Sequence, residues 1–456
     1  MNKNSPKGPA KGSARSMAFH ALWRVQAQDA FADIVLDNLF KRHRPAGAEK
    51  SLAHELVFGV LRHRSYLDHY LGQVADRPLS KIERRTLLAL RLGAYQLFFL
   101  SRVPQSAAVD ESVSLAPSSS RGFVNAVLRS LASGEKKLQA PESIRDPAER
   151  TAAMYSHPLW MVKDWTERLG EDGAAELCRA NNIKPPLSLR INGMRTGREV
   201  FIRLLSKHGI EVRPGKLSPL AVIVPDPVPV RDLPGFDDGL FQVQDEASQL
   251  PPLLLGPRPG ETVLDACAAP GTKSLELAQL MEGKGRILAL DVHKGRLERL
   301  LPEARRLGLD NVTTMEGDAS LSLKKSLPRG FRGVLFDRVL VDAPCTGTGI
   351  IRRSPEIKWR RKPEDAYTQG ELQRSILLNV AKWLKPGGVL VYSTCTFTLE
   401  ENEKVISSLL ETGGFEQEDP ACHLPQAASV TSHKMLRTFP HLTGTDGFTV
   451  FRLRRK

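Results

Sequence analysis

The 456-residue sequence lacks any uninterrupted apolar run of the roughly 18 residues that a membrane-spanning helix needs. Its best candidate, LGAYQLFFL, is bounded by Arg91 and Arg102, and this pattern predicts a buried helix. The first 16 residues are basic and lack the apolar centre of a secretory signal. They also lack the amphipathic pattern of an organelle transit peptide, so we interpret them as a disordered basic tail.

Cysteine is scarce. The five cysteines are widely scattered, and no CxxC pair or zinc-type His/Cys spacing is present. This distribution argues against a disulfide scaffold, predicts that no metal is bound, and favours a reducing cytosol.

Acidic residues are fewer than basic ones. The chain has 65 Lys and Arg against 51 Asp and Glu, a formal net charge of +14, which favours a polyanionic partner such as nucleic acid. Hydrophobic residues at 41% and charged residues at 25% are ordinary values for a globular protein and exclude wholesale disorder.

Apolar residues at intervals of three and four predict helices from about Met17 to Leu131. Two further helices are predicted between His157 and Asn182. Beyond them, the alternating stretch KPPLSLRIN predicts a half-buried strand, REVFIRLLSKHGI a helix and AVIVP a second strand. The order of these segments predicts an all-α domain followed by a small α+β module.

From Thr262 onward, short apolar runs alternate with helical ones. TVLDAC, RILALDV, NVTTMEGD, RVLVDAPC and GVLVYSTC predict strands, and the helical segments lie between them. This alternation predicts a parallel sheet covered on both faces, whose carboxyl edge should carry the ligand site.

The loop after the first of these strands reads DACAAPGTKS, from Asp265 to Ser274. Small residues and Gly271 allow a tight turn from strand to helix and a close approach of the backbone to a ligand. The loop has neither the G-x-G-x-x-G pattern nor the P-loop pattern, which disfavours a pyrophosphate ligand.

Acidic residues end successive predicted strands. Asp291 closes ILALD and could accept hydrogen bonds from both hydroxyls of a ribose, and Asp318 in EGDA could accept one from an adenine amino group. Either residue alone is equally consistent with a helix cap. Together with Asp265 and the glycine turn, they predict an adenosine without phosphates, S-adenosylmethionine.

Two cysteines follow later strands, Cys345 in VDAPCTGTG and Cys395 in VYSTCT. A single cysteine would be interpreted as a small buried hydrophobe, but two at one edge of the sheet favour chemistry. Carbon 5 of a pyrimidine becomes nucleophilic only when a thiolate adds at C6, after which C5 can take a methyl group and lose its proton. Asp342 could stabilise the charge that moves into the ring.

QDEAS, DACAAPGTKS, DAPCTGTG and YSTCT resemble, in this order, the signature motifs of the RNA cytosine-C5 methyltransferases. GIIRRSPEIKW and the helical N-terminus with FVNAVLR are similar to the bacterial RsmB/Sun/Fmu branch, which acts on 16S ribosomal RNA. The resemblance covers nearly the whole chain after the basic tail.

The resemblance implies that Cys395 is the nucleophile and that Cys345 assists proton abstraction or product release, an assignment that the residues alone leave open. It also implies a set of positions that contact S-adenosylmethionine: Cys267, Ala268, Ala269, Pro270, Gly271, Thr272, Lys273, Asp291, Asp318 and Asp342. Thr272 departs from the family's usual glycine, and its Cβ would cost energy if that position required a positive φ.

The resulting expectation is a multidomain fold: an all-α NusB-like N-terminal domain that binds RNA, a small α+β module that positions the substrate, and a C-terminal α/β Rossmann-like methyltransferase domain. We assign residues 1–16 to the tail and 17–140, 150–240 and 241–456 to these domains. The expected partner is 16S ribosomal RNA before full subunit assembly, bound by a cytoplasmic monomer. A set of basic residues after the catalytic loop could either grip phosphates or form a solvated face: Arg352, Arg353, Lys358, Arg360 and Arg361.

Two other functions remain open on the sequence. The chain could be a non-catalytic NusB-like RNA-binding assembly or antitermination factor, although the presence of both cysteines argues against an inert site. It could also methylate cytosine C5 in transfer RNA, which keeps the chemistry and changes the substrate.

Overall fold

The structure is a computed structural model that describes residues 12–134, 137–226, 228–324 and 327–456. Its helices are, in chain order, α1 (Ala14–Gln28), α2 (Ala32–His43), α3 (Gly47–Val74), α4 (Arg84–Phe99), α5 (Gln105–Leu115), α6 (Arg121–Ser133), α7 (Pro147–Met154), α8 (Leu159–Asn182), α9 (Arg198–Lys207), α10 (Leu250–Leu255), α11 (Thr272–Leu280), α12 (Lys294–Leu297), α13 (Leu300–Leu307), α14 (Ile357–Arg360), α15 (Glu364–Val380), α16 (Glu403–Leu410) and α17 (Pro440–Thr443). Its strands are β1 (Leu187–Ile191), β2 (Arg213–Pro214), β3 (Ala221–Val224), β4 (Phe241–Val243), β5 (Thr262–Asp265), β6 (Arg286–Asp291), β7 (Val312–Glu316), β8 (Phe336–Asp342), β9 (Leu384–Thr394), β10 (Phe415–Glu418), β11 (Thr431–Ser432), β12 (Met435–Thr438) and β13 (Phe448–Arg455).

The chain forms two compact units. The first contains the described residues up to Ile183 together with Ile351–Arg361, and the second contains Lys184–Ile350 and Lys362–Lys456. Helices α7 and α8 therefore fold with the first unit, whereas the sequence analysis grouped residues 150–240 as one module. Hydrophobic periodicity identifies a helix but does not tell which neighbour its apolar face will meet.

The first unit is helical, as the sequence predicts. In α6 the buried residues Val124, Val127, Leu128 and Leu131 follow the spacing of one helix face. Helix α1 begins at Ala14, so the last three residues of the predicted disordered tail are helical. Ser13 caps this helix by accepting a hydrogen bond from the Ser16 amide, and residues 1–11 of the tail lie outside the described residues.

The segment Ile351–Arg361 does not form a solvated basic face. Arg352 and Lys358 are buried, and the Lys358 amine donates hydrogen bonds to the carbonyl oxygens of Arg62 and Ser156 at 2.8 and 2.7 Å. The sequence left open whether this stretch grips RNA phosphates or forms a solvated face, and neither alternative describes Lys358, whose amine is already bonded to acceptors of the helical unit.

The middle of the chain forms a four-stranded antiparallel sheet in the order β2-β3-β1-β4, with α9 beside it. Leu189, Phe201, Val222 and Phe241 are part of one buried apolar cluster. Because Leu189 and Ile191 alternate with polar residues, they place one face of β1 in this cluster. The predicted small α+β module is thus present.

The C-terminal sheet has a parallel core in the order β9-β8-β5-β6-β7. Next to β9 lies the antiparallel strand β13, which pairs with β12 and β10, and β11 follows β12. The sheet is therefore mixed, whereas the sequence pattern predicted only the parallel part. No helix within the described ranges is both long and apolar enough to cross a membrane.

Candidate active site

The two predicted cysteines meet at the carboxyl edge of the sheet. Strands β8 and β9 are parallel neighbours, and Asp342 is in register with Ser393 near their carboxyl ends. Cys345 lies in the loop after β8, and Cys395 is the first residue after β9. The two Sγ atoms are 3.2 Å apart, although 50 residues separate them in the chain.

Asp342 is held by two side chains. Its Oδ2 accepts a hydrogen bond from Lys273 Nζ at 2.6 Å, and its Oδ1 accepts one from Ser393 Oγ at 2.8 Å. Burial opposes the charge of Lys273, but the charge and hydrogen bond of Asp342 outweigh it, and the pKa of Lys273 is raised. The Phe448 ring centre lies 5.1 Å from the same ammonium. A fixed ion pair therefore lies at the strand end that precedes Cys345.

The predicted cofactor loop, residues 266–271, turns from β5 into α11. The Ala268 amide donates to the Leu290 carbonyl at 2.9 Å, and the Ala269 amide donates to Asp291 Oδ2 at 3.0 Å. Gly271 has a φ of 106°, and a Cβ there would lie 2.5 Å from the Leu300 side chain. Only glycine satisfies both conditions without strain.

Thr272, which departs from the family pattern, is the first residue of α11 and does not have a positive φ. Its Cβ is therefore tolerated. Pro270 and Gly271 complete the turn, and Lys273 points its amine to Asp342 at the end of β8. Burial, reinforced by the charges of neighbouring aspartates, raises the pKa of Cys267 well above its ordinary value, which keeps this third thiol protonated.

The carboxylates at the strand ends differ in environment. Asp265 is fully buried, and burial raises its pKa to about 7 despite a 2.6 Å hydrogen bond from Ser274 Oγ. Asp291 accepts hydrogen bonds from two backbone amides, those of Ala269 and His293. Asp318 accepts hydrogen bonds from the amide and hydroxyl of Ser320, as in an Asx turn.

The two catalytic-type thiols are not equivalent. The hydrogen bond with Cys395, followed by burial, raises the pKa of Cys345 well above its ordinary value. Cys345 therefore retains its proton at neutral pH and can share it with the other sulfur. In the parts of the chain that the structure describes, no group of three or more His, Cys, Asp and Glu residues could hold a metal ion.

Several residues of the site were not anticipated from the sequence. Arg190 of β1 is completely buried behind the cofactor loop and donates to the Thr272 carbonyl at 3.0 Å. It also pairs with Glu276 of α11 at 3.3 Å. Arg190 falls in the polar phase of the alternation that predicted a half-buried strand, so the pattern predicted an exposed side chain, whereas both faces of β1 are buried.

Gly349 is a second unanticipated position. Its amide donates to the Cys395 carbonyl at 2.9 Å, and its carbonyl accepts from the Gly447 amide at 2.8 Å. A Cβ on Gly349 would lie 2.2 Å from the Gly447 carbonyl oxygen. The TGTG pattern after Cys345 was the sequence signal for this close approach.

A mostly parallel sheet with a glycine turn after its first strand and carboxylates at its strand ends defines the C-terminal domain as a Rossmann-like methyltransferase. Residues 252–454 match the model of the 16S rRNA methyltransferase RsmB/F family. Residues 12–133 match the NusB family, and residues 157–231 match the ferredoxin-like domain of the RsmF/B-like methyltransferases. The chain belongs to the RsmB/F family of 16S rRNA methyltransferases.

Relatives of this chain match over almost its full length. A probable ribosomal RNA small subunit methyltransferase B of Bacillus subtilis is 36% identical over 453 residues, which cover 98% of this chain and 99% of the relative. The ribosomal RNA small subunit methyltransferase B of Shigella flexneri is 36% identical over 402 residues, 87% of this chain and 90% of the relative. The crystal structure of PH0851 superposes with a TM-score of 0.79 at 26% identity and covers 98% of this chain and 100% of its own.

Proposed function

We propose that this protein transfers a methyl group from S-adenosylmethionine to C5 of a specific cytidine in 16S ribosomal RNA, through a covalent bond between Cys395 and C6 of the base. The observation that carries the proposal is the 3.2 Å separation of Cys345 Sγ and Cys395 Sγ beside the Lys273–Asp342 ion pair. Both thiols lie at the edge of the sheet where open α/β folds bind their ligands.

The residues of the cofactor loop fit S-adenosylmethionine. Asp265 Oδ1 is buried and has no hydrogen-bond partner among the described residues. A ligand that donates a hydrogen bond would satisfy this oxygen. Asp291 and Asp318 add carboxylates at the next two strand ends, which suit a cationic ligand with hydroxyls and disfavour phosphates. We assign the segment Cys267–Lys273 and these carboxylates to the cofactor, which supplies an electrophilic methyl group when it is bound.

The sulfur of Cys395 performs the covalent step. Its thiolate forms a bond to C6 of the cytosine, and the electron pair of the C5–C6 double bond moves into the ring toward C5 and N3. We assign the stabilisation of this charge to Asp342, whose side chain is held by Lys273 and Ser393: in its protonated form its carboxyl group donates a hydrogen bond to N3. C5 then takes the methyl group. The C5 proton passes to a base, either Cys345 after it has lost its own proton or solvent water, the C–H electron pair restores the C5–C6 double bond, and the S–C6 bond breaks to return the Cys395 thiolate.

Cys345 complements this step. Because its pKa is raised by the hydrogen bond with Cys395, its thiol stays protonated and donates to the neighbouring sulfur. The Cys345 thiol therefore lies in direct contact with the sulfur that is proposed to attack the base. This contact also places Cys345 where it can assist proton removal or the release of the methylated base.

We expect the target cytidine to lie in a loop or another unpaired segment, because the base must leave its stack before a thiolate can reach C6. Free RNA or an early assembly intermediate, bound by a monomer, is the proposed substrate. A reducing compartment such as the cytosol keeps the thiols available. Bisulfite sequencing of 16S RNA from cells with and without this protein would identify the nucleotide, or would reveal none if the substrate is a different RNA.

The matched pair Cys395→Ala and Cys345→Ala tests the assignment. Cys395→Ala should abolish transfer of tritium from labelled S-adenosylmethionine to 16S RNA, while calorimetry should show unchanged cofactor affinity. Cys345→Ala should accumulate an RNA–protein adduct that survives denaturation, because the bond to Cys395 still forms and is released slowly. Full turnover by Cys395→Ala would refute the assignment of Cys395 as the nucleophile. Failure of the wild-type protein to bind S-adenosylmethionine would favour the alternative function, a non-catalytic RNA-binding factor.

A further inference from the structure

One buried carboxylate near the cysteines has no role in the mechanism above. Glu401 lies in the loop between β9 and α16 and is fully buried. Its Oε1 accepts hydrogen bonds from the Thr346 amide at 2.7 Å and from Gln373 Nε2 at 3.1 Å. Its Oε2 accepts from three hydroxyls: those of Thr346 at 2.5 Å, Thr398 at 2.7 Å and Thr396 at 3.3 Å.

Four of these five hydrogen bonds come from the two loops that carry the cysteines. Thr346 immediately follows Cys345, and Thr396 immediately follows Cys395. Gln373 of α15 links Glu401 to the first loop as well, because its Nε2 also donates to the Pro344 carbonyl at 2.8 Å. One carboxylate therefore holds both neighbours of the sulfur pair.

The cross-link has a specific geometry. The Thr346 and Thr396 hydroxyls are 3.0 Å apart and converge on Glu401 Oε2, so the two chains run side by side at the residues next to the cysteines. The Gly349 amide donates to the Cys395 carbonyl and adds one direct backbone contact between the loops. Glu401 is the centre of this network because it accepts from both loops and itself bears the charge that strengthens each bond.

We infer that Glu401 is a positioning residue that fixes the two cysteine loops so that Cys345 Sγ and Cys395 Sγ stay in contact. The expected effect on methylation rests on the proposed function, whereas the role of Glu401 in keeping the two sulfurs in contact does not. A carboxylate is needed because it accepts at both oxygens, whereas the amide of glutamine would face one set of donors with an NH₂ group. The backbone amide of Thr346 can only donate a hydrogen bond. A glutamine at this position can accept that bond only if its NH₂ group faces the threonine hydroxyls, which then lose their acceptor.

The role of Glu401 in keeping the two sulfurs in contact can be tested without RNA or cofactor. With oxidised glutathione as the oxidant, two thiols lose two protons and two electrons to form one Cys345–Cys395 disulfide, and each oxidised glutathione yields two reduced glutathiones. Sulfurs already in contact should form this bond readily. We expect Glu401→Gln to lower the equilibrium constant for this disulfide about tenfold, because one charge-assisted network has been loosened.

The matched control is Glu418→Gln. Glu418 lies on β10, where it accepts from Arg454 and pairs with Arg452, and it makes no contact with the cysteine loops among the described residues. This variant also replaces a bonded carboxylate by its amide in the same unit, and its disulfide equilibrium should match that of the wild type. Glu401→Asp, which keeps the charge on a shorter side chain, should give an intermediate value.

The catalytic consequence is measured separately. Glu401→Gln should lower kcat for methylation roughly tenfold or more while the KM for RNA, the cofactor affinity and the thermal unfolding temperature stay close to those of the wild type. An unchanged disulfide equilibrium, or no disulfide in the wild-type protein, would overturn the inference whatever the activity. A parallel loss of unfolding temperature and cofactor affinity would also overturn it, since Glu401 would then only support the fold. If instead Cys395→Ala stays active while the disulfide responds as expected, the proposed function fails and the positioning role stands.

Discussion

Asp265 and Asp342, at the ends of two neighbouring strands of this sheet, have different surroundings. Asp342 is paired with a lysine, whereas Asp265 is fully buried with only one hydrogen bond from Ser274. Burial raises the pKa of Asp265 from 3.8 to about 7. Near neutral pH, Asp265 can therefore present either a proton donor or a charged acceptor to a ligand.

The raised pKa of Asp265 predicts how stability depends on pH. The folded protein retains a proton on Asp265 that the unfolded chain releases above pH 3.8, so the contribution of this group to the free energy of unfolding falls as pH rises from about 4 to 7. Asp265→Asn keeps the shape without the titration. Between pH 5 and 7, denaturant unfolding should show the wild type losing up to about 1.4 kcal/mol per pH unit relative to the variant. Parallel pH profiles for the two proteins would contradict the assignment.

The sequence predicted which cysteines would meet but not how they are held. Cys345 and Cys395 both follow apolar runs, and parallel strands end at one edge, so their proximity follows from topology alone. Glu401 lies six residues beyond Cys395 in a loop without regular spacing. Its importance arises from contacts with residues 28 to 55 positions away, and no local pattern encodes those contacts.

Among the elements, the segment Ile351–Arg361 shows where sequence pattern and packing diverge. Five basic residues in eleven positions indicate an exposed surface, yet α14 lies within the helical unit and Trp359 Nε1 donates to the Leu61 carbonyl at 2.7 Å. The Arg64 guanidinium lies 4.9 Å from the centre of the Trp359 ring. The side chains of this segment are used to bind it to α3.

Lys358 should be the main attachment of that segment. Its amine donates to two carbonyls and to Asn182 Oδ1 at 3.0 Å, and burial holds the pKa of this lysine well below its ordinary value. Lys358→Met should lower the free energy of unfolding of the helical unit by about 2 kcal/mol, because buried acceptors lose their donor. The same change at the exposed Lys362 is the control and should have little effect on chemical denaturation. Equal stability of the two variants would contradict this role.

Helices and central strands were predictable, whereas breaks and edge strands were not. Helix α3 lies within the predicted helical region but has non-helical backbone angles at His63, and the helical segment between RILALDV and NVTTMEGD forms two helices, α12 and α13. The antiparallel strands β10 to β13 were missed. Strands β10, β11 and β12 have only two to four residues, too few to carry a period-2 signal.

At the scale of the whole molecule, the net charge of +14 predicts that RNA binding depends steeply on salt. Each phosphate contact contributes about −0.7 to −0.9 to the slope of log affinity against log salt, so an interface with about five phosphate contacts should lose roughly a hundredfold in affinity as salt rises from about 50 to 200 mM. Filter binding of 16S RNA over this range measures the slope. An unrelated RNA of equal length should lose affinity in parallel, and a flat response would exclude a phosphate-dominated interface.

The helical unit is built from two separate segments of the chain, so it can be completed only late in protein synthesis. The ribosome makes residues 12–183 early, but Ile351–Arg361 emerges only after most of the second unit has been translated. Until then, the carbonyl groups that Lys358 will satisfy must be solvated or bound by a chaperone. A gene fragment that ends near residue 183 would lack the Lys358 donor, so a recombination that exchanged the N-terminal part would keep these hydrogen bonds only if it also carried the distant segment.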